Sequence, residues 1–220
     1  MTADLERLQE EAETAWMEHW KRGPTRLHWT EMPPQVGEPA PDLELEDSSG
    51  TLVHLSDFWH DRPALLLFWR HYGCGCGVDR AARLREEHET YRSAGANVVV
   101  IGQGKPLHAA WYAEKFGIPS PVLCDPEFQA YRAYGLPEFA PAQVLYDASD
   151  ALLRVEVEAG KALAKERREM GRPMANNPWQ SPGEFVVDTS GRLRLTYRYQ
   201  FCEDFPDPRI LLSAIRDAGE

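Results

Sequence analysis

Only four cysteines, Cys74, Cys76, Cys124 and Cys202, occur in 220 residues, too few and too unevenly spaced for the disulfide framework of a small secreted domain. Positive charge is also scarce: 24 Lys and Arg stand against 35 Asp and Glu, a formal charge of −11. That balance argues against nonspecific nucleic-acid binding and against docking on an anionic membrane. No window holds the roughly 18 apolar residues of a membrane span, and Asp4, Glu6, Arg7 and Glu10 place charges where a secretory leader needs an apolar stretch. The expected setting is a reducing cytoplasm, where closely spaced cysteines serve catalysis, redox sensing or metal binding more often than structure. The remaining composition is that of a globular protein, with 43% hydrophobic and 27% charged residues, and a chain of this length buries a full core without staples.

Leu5, Leu8, Ala12, Ala15, Trp16 and Trp20 recur at steps of three and four, which predicts an amphipathic helix ending near Gly23-Pro24. Pro33, Pro34, Pro39 and Pro41 then mark an extended connector. Residues 1–35 therefore read as an arm, able to pack on its own domain or on a second copy in a homodimer, and residues 36–220 as one domain.

Alternation over 42–46 and 51–55, around the turn residues Asp47 to Gly50, predicts a hairpin. The continuous apolar run Ala64 to Trp69 predicts a central strand covered on both faces. A helix over 77–93, a strand over 97–102, a helix over 107–116, a strand over 121–124 and a helix over 128–134 follow. This alternation implies right-handed parallel crossovers in an α/β sandwich. A second hairpin over 184–197 and a last helix, with Asp207 as N-cap and Pro208 in its first turn, complete the pattern. A βαβ unit followed by a hairpin and a helix on one mixed sheet is the thioredoxin arrangement. Residues 137–180, polar and proline-bearing with a helix expected from Ala151 to Met170, read as an insertion.

The segment Arg70-His71-Tyr72-Gly73-Cys74-Gly75-Cys76-Gly77 joins the buried strand to a helix. Unpaired N–H groups and the positive end of the helix dipole lie there and favour an anion such as a thiolate. A free thiol has a pKa of about 8.5, and a helix N-terminus or a neighbouring cation lowers it; Arg70 and His71 are the candidate cations. Residues two apart have Cα atoms roughly 5.5 to 7 Å apart, so Cys74 and Cys76 can bridge when Gly75 bends. Such a bridge is strained and readily reduced. Two other readings stand beside redox chemistry: a pair of inert buried cysteines, and a metal site in which Cys124, His108 or Cys202 joins His71, Cys74 and Cys76.

Elsewhere, Gly102-Gln103-Gly104-Lys105 lacks the third glycine and the Lys-Ser/Thr of a nucleotide loop and reads as a strand-to-helix turn. Trp69 and Trp179 flank the site segments and can line an apolar cleft. Arg198 either reaches the site from the late strand or faces solvent. Cys124 and Cys202 read as a strand cysteine and a loop cysteine, either able to resolve an oxidised Cys74 if the fold brings it near.

Several blocks in order carry a family resemblance: Leu65 through Cys74, Val99 through Gly104, Pro121 through Glu127 with Tyr131 through Leu136, and Gln180 through Asp188. Together they resemble the peroxiredoxin-like branch of the AhpC/TSA (alkyl hydroperoxide reductase / thiol-specific antioxidant) superfamily. The resemblance implies a thioredoxin-like fold, Cys74 as the reactive cysteine, and Tyr72, Gly73, Trp69, Arg198 and Pro182 around the substrate. Pro182 matches the position where such folds carry a cis-proline. It implies a peroxide or small disulfide as substrate, and a thioredoxin-like protein or low-molecular-weight thiol as external reductant, without a resident cofactor or metal. Two positions depart from the family pattern. Leu67 and His71 stand where typical peroxiredoxins carry Pro and Thr or Ser, and the second cysteine is at 76 where this branch often has one at 77. A resolving role for Cys76 follows from proximity. The alternative function is a ligand- or metal-binding or biosynthetic accessory module without thiol turnover.

Overall fold

A computed structural model describes residues 31–72, 74–140 and 177–219, with single positions elsewhere. The chain divides into two compact units, Met1–Glu31 and Met32–Glu220. In the first, the described positions between Arg7 and Lys21 are helical and exposed. Gly73, most of the expected arm helix and nearly all of the helix expected from Ala151 to Met170 lie outside the described residues.

The second unit is built on a seven-stranded sheet. In chain order its elements are β1 (Glu44–Asp47), β2 (Leu52–His54), a 3-10 turn (Leu55–Phe58), β3 (Ala64–Phe68), α1 (Gly75–Ser93), β4 (Asn97–Gly102), α2 (Pro106–Phe116), β5 (Val122–Cys124), α3 (Gln129–Ala133), β6 (Gly183–Val187), β7 (Leu193–Arg198) and α4 (Pro208–Ala218). The strand order is β2-β1-β5-β4-β3-β6-β7. β3, β4 and β5 run parallel through helical crossovers, while β6 and β7 return antiparallel beside β3. The N-terminal hairpin docks antiparallel on β5 through β1.

The unbroken apolar run of β3 is explained by burial on both faces. Leu65 and Leu67 join α1, α2 and α4 in one core. Leu66 and Phe68 join Val99, Ile101, Tyr131, Tyr134 and Phe185 on the other face, where the Phe68 ring meets Tyr131 and Phe185 edge-on. Local chemistry fixes the ends. Asp207 caps α4 by accepting the Arg209 N–H at 2.9 Å, with Pro208 in the first turn. Gly117 closes α2 in the left-handed region at φ 60°, and Ile118 N–H returns to the Ala113 carbonyl.

α1 begins at Gly75, two residues earlier than the spacing predicts. Its N-cap is Cys74, in extended backbone, whose sulfur accepts the Gly77 N–H. Glycine is a poor helix former, so Gly-Cys-Gly reads as loop. Tertiary packing and the cap draw it into the first turn, where Gly75, Cys76 and Gly77 are all buried.

Candidate active site

The site lies where β3 ends and α1 begins. Cys74 and Cys76 are joined by a disulfide with a Cα–Cα distance of 5.3 Å, and both are buried, at 0% and 3% exposure. The N-cap position aims the start of the helix at Cys74: Gly77 N–H lies 3.4 Å from its Sγ. Arg70 supplies the cation. Its Nη1 is 3.2 Å from Cys74 Sγ and 3.8 Å from Cys76 Sγ, and its Nη2 donates to the Pro178 carbonyl at 2.6 Å. His71 is buried beside it, and its carbonyl accepts the Cys74 N–H at 3.3 Å.

Gln103 holds this arrangement from the turn that follows β4. Its amide donates to the Arg70 carbonyl and, at 3.1 Å, to that of Asn177, while its Oε1 accepts the Asn177 N–H at 2.7 Å. The Gly-Gln-Gly turn is thus a brace for the Arg70 loop. Its glycines have a packing reason, because a Cβ on Gly102 or Gly104 would run into the Tyr72 ring.

Two residues expected around the substrate are elsewhere. Tyr72 is 1% exposed and stacks on Tyr112 at 4.5 Å between ring centres, so it belongs to the core beneath the loop. Arg198 lies on the opposite face of the sheet. It pairs across from Gly183, while its neighbour Tyr197 pairs with Glu184 on the site face. Strand alternation sends the guanidinium to the Tyr134 and Pro34 carbonyls and over the Phe185 ring. Trp69 and Pro182 do line a cleft beside Cys76. The Ser181–Pro182 peptide is trans, there being no cis bond among the described residues. Trp179 packs partly buried against the cysteine cluster.

The cleft is also lined by Cys202 and by four residues to which the sequence assigned no role: Arg80, Glu184, Tyr199 and Phe205. Its enclosed space, about 20 Å³, admits a water-sized guest. Arg80 and Glu184 form a buried ion pair, Nε–Oε1 2.8 Å and Nη2–Oε2 3.3 Å. Arg80 Nη1 reaches Glu87 at 2.9 Å. The Tyr199 hydroxyl donates to Glu184 at 2.6 Å and the Tyr91 hydroxyl to Glu87 at 2.9 Å. Burial works against the Arg80 charge, yet Glu184, Tyr199 and Glu87 together outweigh it and hold the guanidinium pKa above its ordinary value. Burial, followed by the Glu184 charge, pushes the Tyr199 hydroxyl well up. The sequence carried a signal: Glu184 is the single charge in the apolar strand Gly-Glu-Phe-Val-Val, and Arg80 falls on the buried stripe of α1 with Gly77 and Leu84.

The other cysteines differ. Cys202 is fully buried in one cluster with Cys74, Cys76, Phe139 and Tyr199. Cys124 lies on β5 with its sulfur toward the Asp47 carbonyl, and burial, with Glu46 and Asp47, pushes its thiol up to about 12. No group of three or more metal-ligating side chains is assembled among the described residues, so the metal-holding alternative has no ligand set there.

Comparison with known proteins agrees with this geometry. Over 91 residues, 41% of this chain, the sequence is 34% identical to the chloroplastic thioredoxin-like protein AAED1 of Arabidopsis thaliana, covering 37% of that protein. It is 30% identical to peroxiredoxin Bcp of Escherichia coli over 47% of this chain and 66% of Bcp. The chain thus spans less than two thirds of either curated relative. The fold matches the crystal structure of peroxidoxin BcpB from Mycobacterium tuberculosis with a TM-score of 0.58 at 20% identity, covering 84% of this chain and 97% of that one, which establishes the thioredoxin-like fold. The sequence model of the AhpC/TSA family matches residues 36–196, from the connector through β6 and most of β7, with the Cys74 loop, the helix it caps and the Pro182 strand all inside the match. On that span, the chain belongs to the AhpC/TSA family.

Proposed function

We propose that the chain is a thiol-dependent oxidoreductase with Cys74 as its nucleophile and Cys76 as its resolving thiol. The reduced Cys74 thiolate attacks one peroxide oxygen, the O–O bond breaks, and the other oxygen departs and takes up a proton. Cys74 is left as a sulfenic acid. Cys76 then attacks Cys74 Sγ, water leaves, and the bridge forms. Toward a small disulfide, the same thiolate forms a mixed disulfide that Cys76 displaces. Electrons return from an external thiol, a thioredoxin-like protein or a low-molecular-weight thiol, so no resident cofactor is required.

The observation that carries this reading is the environment of Cys74 Sγ: a helix-start N–H and a guanidinium aimed at the sulfur, with a second cysteine in bonding range. Arg70 stabilises the thiolate, and His71 closes the loop behind it. Trp69 and Pro182 form the wall that a substrate meets. The small cleft favours a small peroxide, while His71 stands in place of the hydroxyl, and Leu67 in place of the proline, of typical peroxiredoxins, so a modest turnover rate is expected. The same reading places the protein in a reducing cytoplasm and gives its N-terminal arm to pairing with a second copy. No described helix is long and apolar enough to cross a membrane.

Steady-state peroxide consumption with a panel of thiol reductants tests the proposal. Wild type is expected to turn over, Cys74→Ser to be inactive, and Cys76→Ser to stall as a sulfenic acid trapped by dimedone. Peroxide consumption that survives Cys74→Ser would overturn it.

A further inference from the structure

We propose that Cys202 is a third redox thiol, which attacks Cys76 in the Cys74–Cys76 bridge and carries the oxidation to the loop between β7 and α4. The inference rests on the reading of Cys74 and Cys76 as a redox pair.

The two bridged sulfurs are not equivalent. Cys74 Sγ faces Arg70 Nη1 at 3.2 Å and the Gly77 N–H at 3.4 Å, whereas Arg70 stands 3.8 Å from Cys76 Sγ. In thiol–disulfide exchange the better-stabilised thiolate is the better leaving group. The bridge therefore opens by attack on Cys76, with Cys74 departing. Independently, of the two bridged cysteines it is Cys76 that lines the cleft, and Cys202 lines the same cleft. All three sulfur-bearing residues share one buried cluster.

Access gives the exchange a purpose. At 0% and 3% exposure, the bridged cysteines offer a bulky reductant no direct approach, and they are held by the first turn of a 19-residue helix. Cys202 is also buried, but it stands between β7 and α4 without helix or strand, flanked by partly exposed Phe201 and Glu203. Short irregular segments open at lower cost than a packed helix start. Moving the bridge to Cys202 brings it to a part of the chain that can meet an external thiol.

The step balances without an added oxidant. Cys202 gives up its proton, its thiolate attacks Cys76 Sγ, and the Cys74–Cys76 bond breaks. Cys74 leaves with the electron pair and takes up a proton. The products are a Cys76–Cys202 disulfide and a Cys74 thiol. An external thiolate then attacks Cys202 Sγ and Cys76 leaves as a thiol, and a second external thiol displaces the mixed disulfide on Cys202, restoring its thiol and leaving the external pair oxidised.

The test uses Cys74→Ser/Cys124→Ser protein, in which Cys76 and Cys202 are the remaining thiols, treated with one equivalent of diamide. A monomer lighter by two hydrogens, with a cross-linked Cys76–Cys202 peptide, is expected; two separately alkylatable thiols would overturn the inference. In parallel, wild-type protein oxidised by peroxide and quenched with N-ethylmaleimide should show both bridges, and Cys202→Ala should slow reduction by a thioredoxin-like protein on the order of tenfold. If wild type forms no Cys74–Cys76 bridge, the underlying redox reading fails. If that bridge forms and Cys202 never appears in one, the exchange alone is refuted.

Discussion

Glu184→Gln asks whether the charge network under the cleft is organised by one carboxylate. The Glu184 side chain is 3% exposed and that of Arg80 8%. The carboxylate accepts three bonds: Arg80 Nε at 2.8 Å, Arg80 Nη2 at 3.3 Å and the Tyr199 hydroxyl at 2.6 Å. A glutamine of the same shape has one acceptor oxygen and turns N–H donors toward a guanidinium that can only donate. Breaking a buried pair by removing one partner costs about 3–5 kcal/mol. Arg80 keeps Glu87 at 2.9 Å, which sets the expectation at the lower end, about 3 kcal/mol. In a chain of 220 residues, 1 kcal/mol moves the unfolding midpoint by about 2–4 °C, so thermal unfolding followed by circular dichroism should fall by about 6–12 °C. Urea unfolding should show a lower midpoint at unchanged slope. The double variant Arg80→Met/Glu184→Leu removes both charges and should be more stable than Glu184→Gln. A midpoint change under about 2 °C, or a double variant no better than the single one, would refute the reasoning.

Arg70→Ala removes a charged hydrogen bond to Cys74 worth about 1.5–3 kcal/mol; single-turnover oxidation by peroxide, followed by tryptophan fluorescence, should slow by about tenfold to a hundredfold, with Arg70→Lys between, and a rate within twofold of wild type would count against an electrostatic role. Asp188 is a pH probe: burial raises its pKa, but Ser190, the Arg192 N–H and Arg194 outweigh burial and hold it below the ordinary carboxylate value. Its contribution is therefore full above about pH 4 and lost as pH falls through the lower folded value, so Asp188→Asn should lower stability at pH 7 and flatten the acid limb of a stability–pH curve. Cys124, its thiol pushed up to about 12, should resist iodoacetamide at pH 8 in the folded, reduced protein and react once urea unfolds it; alkylation at the rate of a free thiol would show that β5 is not closed over it.

Much of the fold could be read from period alone. The unbroken run of β3 and the alternation of the hairpins identify buried and half-buried strands because side chains on a strand alternate between faces. The same rule was available for Arg198 and would have placed it opposite Tyr197 and Tyr199, away from the cysteines. Tyr72 was misassigned because neighbours of a reactive cysteine look functional in sequence, and only the third dimension shows the ring lying across Gly102 and Gly104. Arg80 and Glu184 are separated by 104 positions. Their pairing is a product of β6 inserting beside β3, and the visible trace of it is one charge in each of two otherwise buried stripes.

The antiparallel contact between Glu138 and Gln180, reinforced by the Phe139 N–H to the Trp179 carbonyl at 2.7 Å, brings two distant points of the chain to one doorway. Phe139 and Trp179 both belong to the cysteine cluster. Closing a loop costs little more as it lengthens, since each doubling adds only about 0.6 kcal/mol. A change of length between positions 144 and 176 is therefore expected to leave the doorway closed, provided that Asn177 and Pro178, which hold Gln103 and Arg70, are kept. What such a change meets first is the rim of the cysteine cluster, where Phe139 and Trp179 stand.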